Sequence, residues 1–243
     1  MLGRFLEISV YAPDIQRSLE FYRALGFESA SVGEVWSYPY AVVTDGRLFI
    51  GLHGAANQES QSPIALTFVL PQLSAAIDDL ERAGVHFDQL QLGAESFNQA
   101  AFSAPGPQRV NLLEARTFSP PNFDRAIATV CGYFSEYALP VRDAAPGRAF
   151  WEPLGFVALE EETHPVPRTT LTSDLINLGL YRTRALRQPV LVFEDVDMGE
   201  RLARLRDRGF PLSDDMPDSL DAATNGILTA PEGTRLLLLQ AEE

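Results

Sequence analysis

Glu7-Ile8-Ser9-Val10-Tyr11-Ala12-Pro13-Asp14 opens a pattern that ends in Leu25-Gly26-Phe27. The same pattern returns as Glu136-Tyr137-Ala138-Leu139-Pro140-Val141-Arg142-Asp143, ending in Leu154-Gly155-Phe156. Both pairs of landmarks stand 129 positions apart, and Phe21-Tyr22 meets Phe150-Trp151 at that same offset. Further on, Leu48-Phe49-Ile50-Gly51-Leu52-His53 recurs as Ile176-Asn177-Leu178-Gly179-Leu180-Tyr181. A repeat of this length is a duplication of a whole structural unit. It predicts two domains, 1–118 and 128–243, joined by a linker over 119–127. The Ser119-Pro120-Pro121-Asn122 stretch at the join suits an exposed connection.

Each half divides again. Residues 5–12 alternate apolar and polar like a strand, and Asp14 is placed to cap a helix that stops at Gly26. Segments near 35–44 and 47–53 read as a hairpin turned at Asp45-Gly46. A second unit opens with the apolar run Ile64 to Leu70. Its helix, from about Gln72 to Ala83, gathers Leu73, Ala76, Ile77 and Leu80 on one face. Short strands follow near 98–103 and 109–115. The second half predicts a strand near 190–193, a helix from about Met198 to Arg208 and a strand from Arg235 to Gln240. The whole reads as four βαβββ units.

On these residues the chain resembles the vicinal oxygen chelate superfamily, which includes glyoxalase I, bleomycin-resistance proteins and extradiol dioxygenases. The closest match is a strand, then Asp14-Ile15-Gln16-Arg17-Ser18-Leu19-Glu20-Phe21-Tyr22, then Leu25-Gly26-Phe27, repeated in the second half. The resemblance implies an α+β fold: four βαβββ modules forming two tandem glyoxalase/bleomycin-resistance-like domains, with curved mixed sheets enclosing cavities. For metal-using relatives it also implies a His or similar ligand seven residues before the Asp of the first strand-to-helix turn. A second ligand, usually Glu, belongs on each unit's last strand. Carried onto this chain, those positions hold Glu7 and Gly51, then Ala65 and Asn111, Glu136 and Gly179, and Val190 and Leu237. Gly, Ala, Val and Leu side chains bind no metal. The expectation is therefore no metal ligands and no cofactor, with a divalent metal left open.

Glu7 and Glu136 emerge as the principal candidates, each directed from a first strand toward the cavity side. A carboxylate there serves as general base, anchors a cationic ligand, or pairs with a nearby Arg or Tyr. His53 shares a face with Gly51 and is expected nearer the rim, as a surface residue or an acid/base contact. Trp36, Tyr38 and Tyr40 alternate on one face and offer a stacking surface for a flat ligand, which Phe97 and Phe102 would extend. Phe21, Tyr22, Phe150 and Trp151 read as helix packing residues, His86 and His164 as surface residues, and Cys131 as an inert buried thiol.

Composition bounds the partners. Hydrophobic residues make up 46% of the 243 and charged residues 21%, the balance of a folded domain. The net charge of −14 disfavours nucleic acid and favours a cationic ligand. No apolar run is long enough for a membrane helix, the N-terminal residues lack a secretory pattern, and a single cysteine excludes an internal disulfide. These features predict a cytoplasmic monomer or homodimer that takes a small molecule. Two functions fit. One is a metal-independent protein of the bleomycin-resistance type that sequesters a planar or cationic compound, held by Glu7, Trp36, Tyr38, Tyr40, Gly51, His53, Phe102, Asn111 and Glu136. The other is an enzyme: a glyoxalase-like lyase or isomerase, or a dioxygenase, with a nonstandard metal site or a Glu general base. A third reading has one or both cavities vestigial and filled by side chains, with the protein serving as an interaction module.

Overall fold

The computed structural model describes residues 2–30, 39–54, 64–93, 97–106, 108–115 and 129–242. The first half supplies β1 (Phe5–Tyr11), α1 (Ile15–Ala24), β2 (Glu28–Ala30), β3 (Tyr40–Thr44) and β4 (Phe49–His53). It continues with β5 (Ile64–Leu70), α2 (Leu73–Arg82), β6 (Phe87–Gln91), β7 (Gln99–Ala104) and β8 (Gln108–Glu114). The second half supplies β9 (Tyr133–Pro140), α3 (Ala145–Trp151), β10 (Val157–Glu162), β11 (Arg168–Thr172) and β12 (Asn177–Tyr181). It ends with β13 (Val190–Asp195), α4 (Met198–Asp207), β14 (Gly226–Thr229) and β15 (Arg235–Gln240).

Local chemistry sets the boundaries. Asp14 Oδ1 accepts from the Arg17 backbone N–H at 3.0 Å, which satisfies one donor at the start of α1. Asp45 Oδ1 accepts from the Arg47 and Leu48 backbone N–H groups and shapes the β3–β4 turn. The linker expected over 119–127 lies outside the described residues, as do Trp36 and Tyr38.

The strands form two mixed sheets, one per half. The first has the order β2-β3-β4-β1-β5-β8-β7-β6 and the second β10-β11-β12-β9-β13-β15-β14. In each, the first strands of the two units (β1 with β5, β9 with β13) pair antiparallel at the centre. This corrects the expectation of curved sheets enclosing cavities. Both sheets are open: β2 and β6 end the first, β10 and β14 end the second, and neither sheet closes on itself. The fourth unit is also shorter than predicted. Among the described residues it has three strands, and Ser213 makes only an isolated bridge with Ile227. Pro211 and Pro217 bracket that segment and cannot donate to a ladder.

The helices cover one face of each sheet, and these two helical layers share one core. Leu6, Ile8, Val10, Phe68, Phe102 and Tyr137 lie in the same apolar cluster as Trp151, Phe193 and Leu238. Ring contacts cross the seam, as in Phe27–Phe193 (6.0 Å) and Phe102–Phe150 (6.0 Å). Glu232, in the β14–β15 turn, accepts from Ser18 Oγ and Tyr22 Oη on α1. A groove of about 460 Å³ also lies on the seam, between Arg4 and Phe68 on one side and Leu154, Phe156 and Leu175 on the other. No helix among the described residues is long and apolar enough to cross a membrane.

Candidate functional site

Period-two alternation along β1 sends Leu6, Ile8 and Val10 into the shared core and Glu7 and Ser9 to the opposite face. Register then assembles the neighbours. Glu7 pairs with Thr67 on β5, and Thr67 with Asn111 on β8. Ser9 pairs with Gly51 on β4, and His53 with Tyr40 on β3.

The Glu7 carboxylate is 5% exposed and meets three donors. Ser9 Oγ donates to Oε1 at 2.6 Å, His53 Nε2 lies 2.9 Å from the same oxygen, and Tyr40 Oη donates to Oε2. The Tyr40 and His53 rings stack at a tilt, with centroids 4.7 Å apart. Because the Ser9 proton is committed to Glu7, the 2.7 Å contact between Ser9 Oγ and Thr67 Oγ1 makes Thr67 the donor. Asn111 Nδ2 in turn donates to Thr67 at 3.3 Å. Every hydrogen in this line points toward Glu7. A carboxylate offers about four lone-pair sites, so one remains beyond these three donors.

Gly51 makes this arrangement fit. A β-carbon at 51 would fall inside the Glu7 carboxylate. The second half repeats the device: a β-carbon at Gly179 would stand 2.7 Å from Glu136 Cδ. In both halves the carboxylate from the first strand fills the volume above the glycine.

The second site is built differently around that shared feature. Glu136 accepts from Tyr181 Oη at 2.7 Å and Thr170 Oγ1 at 3.0 Å. Arg168 Nη1 stands 3.6 Å from it, donates to Tyr181 Oη, and its guanidinium also pairs with Glu162. Burial pushes the Glu136 carboxyl above its ordinary range, and Arg168, Tyr181 and Thr170 pull only part of the way back. Burial, then the Glu136 charge, raises the Tyr181 hydroxyl well above its usual value. Val166, Leu186, Met216 and Leu220 form a second apolar cluster with Val190, Val192, Ile227 and Leu237 on this face. Apolar side chains fill the space over the second sheet.

Several sequence expectations change. His53 is not a rim residue: it is 7% exposed and bound to Glu7. Phe102 is fully buried on the helical side against Phe87 and Phe150, because it faces opposite to Ala101 and Asn111. It lines no ligand surface. Tyr40 and Asn111 do join Glu7, and Gly51 lies beneath it. Ser9 and Thr67 were missed, although the alternation of β1 places Ser9 beside Glu7. Cys131 is buried, with its thiol pushed up to about 12 chiefly by burial. His86 and His164 are exposed.

A metal of the kind the resemblance implies does not fit these donors. In the first half the expected second carboxylate position is Gly51, and His53 Nε2 is bonded to Glu7 Oε1. In the second half a guanidinium occupies the cationic position beside Glu136. Among the described residues no three His, Cys, Asp or Glu side chains group to hold an ion.

No protein-family model matches the chain, and no curated protein matches it significantly. Solved structures do. A variant of 4-hydroxymandelate synthase from Streptomyces coelicolor superposes with a TM-score of 0.61 at 14% identity, over 100% of this chain and 95% of that one. The 2,2',3-trihydroxybiphenyl 1,2-dioxygenase of Sphingomonas wittichii strain RW1 gives 0.60 at 16% identity, over 98% and 89%. A catechol 2,3-dioxygenase gives 0.57 at 16% identity, over 97% and 86%. The chain shares the fold of these solved structures. At these identities the likeness to the extradiol dioxygenases carries fold alone, and function rests on the site.

Proposed function

We propose that this chain is an acid–base enzyme, a glyoxalase-like lyase or isomerase that works on a small organic molecule at the polar face of its first sheet. Glu7 is the base, and Tyr40, His53 and Ser9 hold its carboxylate in place. The observation that carries this reading is the Glu7 carboxylate seated over Gly51 with three donors around it and one lone-pair site to spare.

In the proposed step Glu7 takes the proton from a carbon next to a carbonyl. The electron pair of the broken C–H bond forms an enolate, and its charge rests on the carbonyl oxygen, with the Asn111 amide as the nearest side-chain donor of that row. Where the acidic carbon bears a hydroxyl, moving that hydroxyl proton to the enolate oxygen and returning the abstracted proton to the former carbonyl carbon completes an isomerisation. Expelling a leaving group from the β-carbon with the same electron pair completes an elimination. No metal takes part, in keeping with the donor set.

Sequestration of a cationic compound fits less well. It would draw on both first-strand carboxylates, yet Glu136 is faced by Arg168 beneath an apolar cover, which leaves Glu7 alone. The division at 1–118 and 128–243 suits the asymmetry: one half carries the site and the other is its filled counterpart.

The test is proton NMR in D2O with a panel of small 2-oxo, 2-hydroxy and 3-oxo compounds. Enzyme-dependent loss of an α-proton signal, or a new product, is expected for at least one class. Compounds that bind without exchange or product would establish a sequestering protein instead.

A further inference from the structure

The groove on the seam is separate from the Glu7 site. Phe68 pairs with Leu6 and faces the shared core, on the side of the first sheet away from Glu7. Both halves build the walls: Leu2, Arg4 and Phe68 come from the first, Leu154, Phe156 and Leu175 from the second. The volume of about 460 Å³ falls within the roughly 300–1,000 Å³ usual for small-molecule sites, which favour seams between domains. The apolar wall continues to Val157, which is 63% exposed, so a bound apolar chain would remove surface now open to water.

Arg4 is the cation of this groove. Its backbone N–H donates to Val69 O at 3.0 Å. Gly3 permits that approach, since a β-carbon there would stand 2.6 Å from the same oxygen. The Arg4 backbone is thereby fixed against β5, while its exposed guanidinium has no ion-pair partner among the described residues. On the opposite wall Ser173 spends its hydroxyl within the β11–β12 turn, on Ile176 O and on the Leu175 and Ile176 N–H groups. Asp174, also in that turn, is exposed and makes no ion pair with Arg4.

We infer that the groove binds a small amphipathic carboxylic acid, its apolar chain laid along Phe68, Leu154, Phe156 and Leu175 and its carboxylate on Arg4. A guanidinium presents a planar fork that matches a carboxylate, and its alkyl stem lies readily on an apolar wall. Asp174, on a turn open to water, is screened by solvent and salt, as is the net negative charge of the chain. A ligand touching both halves stabilises their pairing and raises the unfolding temperature.

The test uses octanoate, octanamide and octylamine, which share a chain and differ in the charge of the head. Affinities come from calorimetric titration, and thermal unfolding is followed with and without each probe. Octanoate is expected to bind the wild-type protein at least about tenfold more tightly than the other two and to raise its unfolding midpoint. R4Q should bring octanoate down to the level of octanamide, and R4K should recover part of the difference. D174N, which removes the like charge, should tighten octanoate binding and also serves if R4Q fails to fold. E7Q should bind octanoate as the wild-type protein does, because Glu7 lies across the sheet. No binding of octanoate, equal affinity for the three probes, a preference for octylamine, or a preference for octanoate that survives in R4Q would overturn the inference.

Discussion

The carboxylate of Glu7 occupies the space that any side chain at Gly51 would need. The same relation holds between Glu136 and Gly179. The absence of a side chain at residue 51 is what lets the first-strand carboxylate settle on the sheet.

G51A should therefore cost stability through overpacking, about 1–3 kcal/mol. The double variant E7A/G51A should recover much of that loss, because the clash disappears with the carboxylate. Urea unfolding of the wild-type protein, both single variants and the double variant measures the coupling. Additive effects would show that the two positions do not compete for one space.

Tyr40 is the donor on the second oxygen of Glu7, and its removal leaves the backbone untouched. A hydrogen bond to a charged group contributes about 1.5–3 kcal/mol. Y40F should lower kcat roughly 10- to 100-fold with little change in KM, read on whichever substrate the exchange panel identifies. A change confined to KM would make Tyr40 a binding contact alone.

Glu136 gives a pH signature separable from catalysis. Burial raises its folded-state pKa despite Arg168, Tyr181 and Thr170, so the folded protein holds this proton more tightly than the unfolded chain does. The associated stability is full below the ordinary carboxylate range and is lost as pH rises through the raised value. Replacing the group should remove that dependence. Urea midpoints from pH 4 to 7 should fall more steeply for the wild-type protein than for E136Q, and α-proton exchange should be equal in both. A steeper fall in E136Q would reverse the assigned direction.

Glu232 joins the halves through Ser18 and Tyr22, and Tyr22 is fully buried. E232A should strand the Tyr22 hydroxyl and destabilise by about 1–3 kcal/mol, while E232Q, which keeps an acceptor, should cost less. Thermal unfolding of the two variants checks this. Equal midpoints for E232A and the wild-type protein would show that the contact contributes nothing.

The parts of the fold legible in the sequence are those governed by local periodicity. The Asp14 cap, the Asp45 turn and the helix face of Leu73, Ile77 and Leu80 all fall where their side chains dictate. The repeat likewise located Glu7 and Glu136 together. Contacts between residues far apart in the chain were not legible. His53 is brought to Glu7 by β1–β4 pairing, and Thr67 by β1–β5 pairing. The filling of the second face by Leu186, Met216 and Leu220 comes from segments without periodic pattern, and it could not be read before the sheet was built. Phe102 was assigned to the wrong face because a short strand flips every side chain with a one-residue change in phase.

We propose that the buried Glu7 carboxylate acts as a base that needs no metal. The most direct measurement is the rate of α-proton exchange in D2O for the wild-type protein before and after exhaustive chelation, beside E7Q. We expect chelation to leave the rate unchanged and E7Q to reduce it by about 10²- to 10⁴-fold. A rate that vanishes on chelation and returns with added divalent metal, or one that survives in E7Q, would contradict the account.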